Sequence, residues 1–98
     1  MSESRAHISV LSVELFLPAL QSLKAKRSVL KSIKDRIRSR FNASVAEIGY
    51  LDKWQKSVLG ICMIGNDRSY LNSCLDGVLA LIGSVHNVEI LGQQIEFL

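Results

Sequence analysis

Cysteine, histidine and proline are scarce in this 98-residue chain, which has two, two and one of them respectively. Cys62 and Cys74 have neither the CxxC spacing nor the neighbouring histidine of a zinc or redox site, so both read as small buried apolar residues. His7, near the start, and His86, in a loop, stand alone and read as surface residues, not ligands. No metal, cofactor or disulfide is expected. No run of about 18 apolar residues exists to cross a membrane as a helix, and MSESRAHIS has no continuous apolar segment of the kind a secretory signal needs. A cytoplasmic location is the default expectation. The chain also lacks a Gly-rich phosphate loop, a nucleophile beside a base and a ligand cluster, so neither an enzymatic activity nor a small-molecule substrate is expected.

What is present is a core. Apolar residues make up 48% of the chain and no stretch is repetitive or polar enough to resist burial, which predicts one domain over 1–98 with residues 1–6 flexible. In ISVLSVELFL, Leu11, Val13, Leu15 and Leu17 share one parity, the pattern of a strand with one committed face, and Pro18 ends its ladder. Ser22 then offers an acceptor to the amides of a helix over about 23–40, in which Val29, Leu30, Ile33 and Ile37 fall within one arc of roughly 100°. Asn42 suits a left-handed position after the helix, and ASVAEIGY alternates as a second, edge strand. SVLGICMIG is apolar at nearly every position, as a central strand is. Asn66 and Asp67 supply a turn and cap before a second helix with Leu71, Cys74, Leu75, Val78 and Ile82 at helical spacing. In VEILGQQIEFL the apolar parity changes between Ile90 and Ile95, which predicts a bulge near Gly92. The order βαββαβ with right-handed crossovers predicts an α+β ferredoxin-like two-layer sandwich, an antiparallel four-stranded sheet with both helices on one face. A KH-like arrangement is less favoured because no GxxG loop lies between paired helices.

VELFLP in the first strand, SLKAKR at the helix start, RFNASVAEIG, DKWQK, the Leu59–Gly60 pair and IGND together resemble the YlxP-like family of small bacterial proteins, over almost the whole chain. The resemblance implies a ferredoxin-like fold and, since members are often encoded beside translation and ribosome-maturation factors, a translation-associated role. Where the family's first strand usually carries a histidine, this chain has Phe16.

The residues that point furthest towards function lie in KAKRSVLKSIKDRIRSR, which holds eight of the twelve basic residues and a single acid, Asp35. On a helical wheel Lys24, Arg27, Lys31, Lys34 and Arg38 form one stripe about 21 Å long, a length suited to several backbone phosphates. A solvated face is the plain alternative, but such faces usually mix signs for i,i+4 pairing. The expectation is a basic module that binds structured RNA, ribosomal RNA above all, through this stripe. Lys26 and Arg40 fall on the apolar arc and read either as stems over the core with heads in water or as partners of Glu14 or Glu47, between which the sequence does not decide. Trp54, in the connector, either stacks on a base or lids the core. Glu14 and Glu47 read as facing away from the helices, too exposed for acid/base chemistry. That open sheet face, with Phe16, Leu59, Ile61 and Met63 assigned to it, carries the alternative expectation of a homodimer or protein-interaction module with no nucleic-acid role.

Overall fold

In the computed structural model, which describes residues 4–98, β1 (His7–Phe16) buries Ser9, Leu11, Val13 and Leu15 at alternate positions and exposes the intervening side chains more. The chain then turns through Pro18 into α1 (Leu23–Arg40), whose N-cap is Ser22, its hydroxyl accepting from the Ala25 amide at 3.0 Å. β2 (Ala43–Gly49) and β3 (Lys56–Gly65) follow, then α2 (Arg68–Gly83) and β4 (Glu89–Phe97). The Asp67 carboxylate caps α2, accepting from the Ser69 and Tyr70 amides. Of the six N-terminal residues expected to be flexible, 1–3 lie outside the described residues, and 4–6 are exposed and outside any regular element.

The sheet order is β2-β3-β1-β4 with every pairing antiparallel, and the βαββαβ path makes it a ferredoxin-like α+β sandwich. The most apolar strand, β3, is central and the more polar β2 is at an edge. The helices cover one face, α1 lying chiefly against β2 and α2 against β3. Between the layers sit Leu11, Val13, Leu15, Leu30, Ile33, Ile37, Leu75, Val78 and Ile82, all essentially inaccessible. No helix among the described residues is long and apolar enough to cross a membrane.

Two bulges adjust the sheet. On β4 the register steps from Glu14 opposite Gly92 to Leu15 opposite Ile90, so Leu91 is the extra residue and the parity change seen in the sequence is absorbed there. On β2 it steps from Glu47 opposite Leu59 to Gly49 opposite Val58, and the extra residue, Ile48, lies over Gly60, where an added Cβ would come within 3.0 Å of the Ile48 Cδ1.

Three expectations are corrected. Leu59, Ile61 and Met63 point into the core, because they pair with Val13, Leu11 and Ser9, the buried parity of β1. The open face of β3 carries Val58, Gly60, Cys62 and Ile64 instead, so Cys62 is exposed while Cys74 is buried. Phe16 is on the open face as expected, half-buried opposite Lys56. Asn42 is not left-handed; α1 ends in an extended Phe41 whose amide donates to the Ile37 carbonyl, and among the described residues the non-glycine ones with positive φ are Tyr50 and Asn87.

Candidate nucleic-acid interface

The N-terminal turns of α1 are tied to the β2–β3 connector by one side chain. Lys26 falls on the apolar arc of the helix and only 1% of it is accessible. Its ammonium has three protons to place, and three acceptors converge on it. The Tyr50 and Lys53 carbonyl oxygens accept at 2.6 Å each, and Glu47 Oε2 lies at 2.8 Å. The same Glu47 oxygen accepts from the Ser57 hydroxyl at 2.7 Å. A buried charge without such partners would cost several kcal/mol, on the order of the effective desolvation penalty of an ion. Among the described residues no buried side-chain polar atom lacks a partner. Lys26 therefore does not send its head to water, and Glu47, opposite core-facing Leu59, sits on the helix side of the sheet. Arg40, at the last turn, does remain exposed, its guanidinium 5.5 Å from the Phe41 ring centroid. Glu14 keeps the open-face position expected of it, so the two carboxylates lie on opposite faces and form no pair.

Along the outer side of α1, Lys24, Arg27, Lys31 and Arg38 are exposed and Lys34 is half-buried. The stripe exists, but its members are not equivalent. Lys31 Nζ donates to Asp35 Oδ2 at 2.7 Å, and Arg38 Nη1 lies 3.7 Å from the other oxygen of that carboxylate. Arg38 also donates through Nη2 to the Val45 carbonyl of β2 at 2.8 Å, which fastens the end of α1 to that edge strand. The hydrogen bond from Lys31, reinforced by the charges of Lys31, Arg38 and Lys34, holds the Asp35 carboxyl below its ordinary value. Lys24, Arg27 and Lys34 form no ion pair among the described residues. The Lys31–Asp35 pair is in open solvent, where water screens it, so Lys31 can exchange partners at little cost.

Beside this end of α1 the connector and the sheet edge form a surface groove of about 730 Å³, lined by Phe16, Tyr50, Asp52, Lys53, Trp54, Gln55 and Lys56. Trp54 is 52% exposed and does not lid the core. Tyr50, at φ 56°, turns the chain out of β2; its carbonyl accepts from the Lys53 amide at 3.0 Å as well as from Lys26. The Lys56 ammonium lies 5.4 Å from the centroid of the Tyr50 ring. At the far side of the connector, Gln55 donates to the Leu20 carbonyl and accepts through its own carbonyl from the Leu17 amide. The basic stripe and Trp54 were legible in the sequence as separate features. Tyr50, Lys53, Lys56 and the Lys26 clamp were not, since they meet only through the long-range contacts of Lys26 and the β1–β3 pairing.

The open face offers a second, smaller hollow of about 270 Å³ among Val10, Ala46, Ile48, Gly60 and Cys62. No group of three or more His, Cys, Asp or Glu side chains that could hold a metal ion gathers among the described residues.

Residues 8–95 match the family model described as "Protein of unknown function (DUF503)". The chain is 44% identical over 68 residues to "Uncharacterized protein YlxP" of Bacillus subtilis (strain 168), a match that covers 69% of this chain and 74% of that protein. The fold is similar to that of a solved structure, "De novo designed protein Foldit4", with a TM-score of 0.55 and 11% identity over 96% of this chain and 97% of the other. A designed protein with this backbone bears on the fold alone.

Proposed function

The chain belongs to the DUF503 family of proteins of unknown function, and on that premise we propose that it is a non-enzymatic RNA-binding module that grips the phosphates of structured RNA through α1. The observation that carries this reading is the imbalance of charge on the outer side of α1, where Lys24, Arg27 and Lys34 have no carboxylate partner among the described residues and Asp35 is the only acid of the helix. A helix arranged for its own stability would place acids at i−4 of its lysines, and this one also carries no acid in its first turn, where the helix dipole favours one. A polyanion relieves both defects. Ribosomal RNA is the form that the family resemblance favours.

The test is the salt dependence of binding to a ribosomal RNA fragment. Three phosphate contacts give a log–log slope of about −2 to −2.7, and each paired side chain that changes partner adds about 0.7 to 0.9 to its magnitude. Changing Lys24, Arg27 and Lys34 to glutamine together removes most of this slope and leaves the fold intact. Equal affinities and slopes for the variant and the wild type would remove α1 from the function.

A second reading is favoured by Ile48 and Ile64, 55% and 56% exposed on the face that no helix covers. With Val10, Val58 and Cys62 they form an apolar strip suited to a second copy of the chain or to a protein partner. This reading needs no nucleic acid, and the oligomeric state tests it.

A further inference from the structure

The groove beside α1 combines features that the phosphate-gripping reading leaves unused. Trp54 and Tyr50 hold about half of their surface in solvent, 52% and 41%, although both are large enough to have deepened the core. The backbone beside them is anchored. The Lys26 ammonium takes the carbonyls at both ends of the turn from Tyr50 to Lys53, so the backbone on either side of that turn is held by a buried charge anchored to Glu47. An aromatic surface held in place before binding loses little freedom when a flat ligand lies on it. Lys53 and Lys56 flank the rings and outnumber Asp52, the one acid of the wall. The groove is linked to α1 by the buried Lys26, whose ammonium donates to the carbonyls of the lining residues Tyr50 and Lys53. Its volume, about 730 Å³, lies within the range of roughly 300–1,000 Å³ usual for ligand sites.

We propose that this groove seats an unpaired base of single-stranded RNA, with the Trp54 indole as the stacking platform, Tyr50 and Phe16 as the apolar wall, and Lys53 and Lys56 set for the flanking phosphates. The inference rests on the reading that the chain binds RNA, and it adds the strand form: α1 tracks phosphates in any conformation, whereas the groove takes only a base whose face is free. Every base has such a face, so the seat is tolerant of sequence. An apolar protein partner would use the same rings as hydrophobic anchors but would leave the two ammonium groups beside them unpaired, whereas phosphates pair with them.

Trp54 is the only tryptophan of the chain, so its emission reports on the groove alone. The full chain is titrated at low salt with an oligouridylate of about ten nucleotides, within the site sizes usual for single-strand binders, and with a blunt RNA duplex of the same length. The single strand is expected to quench Trp54 and the duplex to leave it unchanged. By fluorescence anisotropy of a labelled strand, Trp54→Ala is expected to bind the single strand about 5- to 150-fold more weakly, the equivalent of one stacked base, with the salt slope unaltered, and Trp54→Phe to recover most of that loss. Binding of both RNA forms with Trp54 silent and Trp54→Ala unimpaired would overturn the groove while leaving α1 its role. Failure of both forms to bind at low salt would overturn both readings. An emission change that follows the protein's own concentration, with RNA unable to compete, would assign the groove to a second copy and overturn the proposal.

Discussion

The Nζ of Lys26 on α1 lies 2.8 Å from Oε2 of Glu47 on β2, and this ion pair is enclosed between the helix and the sheet edge. Its remaining hydrogen bonds go to the Tyr50 and Lys53 carbonyls, so it joins the stability of the fold to the shape of the connector. Lys26→Met strands Glu47 and both carbonyls, and is expected to cost about 3–5 kcal/mol, the usual loss on removing one member of a buried pair. Lys26→Met with Glu47→Leu is expected to recover a large part of this, since no unpaired charge remains. Urea denaturation of the two single variants and the double variant measures the coupling. Additive losses would show that the pair is not a unit.

Asp35→Asn is expected to strengthen RNA binding. The substitution frees Lys31, while Arg38 stays bonded to the Val45 carbonyl, so the salt slope should steepen by about one contact, or 0.7 to 0.9. The stability lost with this solvent-screened pair should be small, with the thermal melt nearly unchanged. Folding holds the Asp35 carboxyl below its ordinary 3.8, so the pair's contribution is fully present above that value and is lost as the pH falls through the lower folded-state value. At neutral pH the comparison is therefore free of titration at this site. Unchanged affinity in Asp35→Asn would mean that Lys31 does not touch RNA.

Met63→Lys and Ile64→Lys should separate the two faces of β3. Met63 is 4% exposed and faces the helices, so a charge there is expected to unfold the domain, as burial of an unpaired charge costs several kcal/mol. Ile64 lies on the open face, and its replacement by lysine should leave the circular dichroism and melting curve nearly unchanged. If the open face joins two copies, light scattering at tens of micromolar should give a dimer mass for the wild type and a monomer mass for Ile64→Lys. A wild-type monomer would remove the self-association reading.

Gly77 sits inside α2, where alanine would ordinarily be favoured by about 1 kcal/mol. An added Cβ there would come within 2.9 Å of the Phe41 Cζ and 3.1 Å of its Cε1, because the ring at the end of α1 lies against this turn. Gly77→Ala is expected to destabilise the wild type and to stabilise a Phe41→Ala background. Thermal melts of the four proteins decide it; the same sign in both backgrounds would show that Phe41 is not the reason for the glycine.

Much of the fold is legible in the sequence. The alternation in β1, the arc of α1, the caps at Ser22 and Asp67, the all-apolar β3 and the parity change in β4 each record a local environment, and together they leave one βαββαβ arrangement. The basic stripe was legible for the same reason, since outward positions on a helix are a matter of 100° steps. A strand that is apolar in both parities carries no such record. Which of Leu59, Ile61 and Met63 or Val58, Cys62 and Ile64 faced the helices was decided by pairing with β1, which set Val13 opposite Leu59.

By itself the sequence determined the elements, their order, the family pattern and the charge carried on α1, because each depends on residues close together in the chain. Only the tertiary structure decided that Lys26 is a buried clamp and not a solvated cation. It also decided that Arg38 fastens β2 and that Phe16, Tyr50 and Trp54 share one groove. The physical reason is the same throughout: a charge or a ring takes its role from the partners that surround it. Those of Lys26 are Glu47, Tyr50 and Lys53, far along the chain, and only the packing of α1 on β2 brings them within 3 Å.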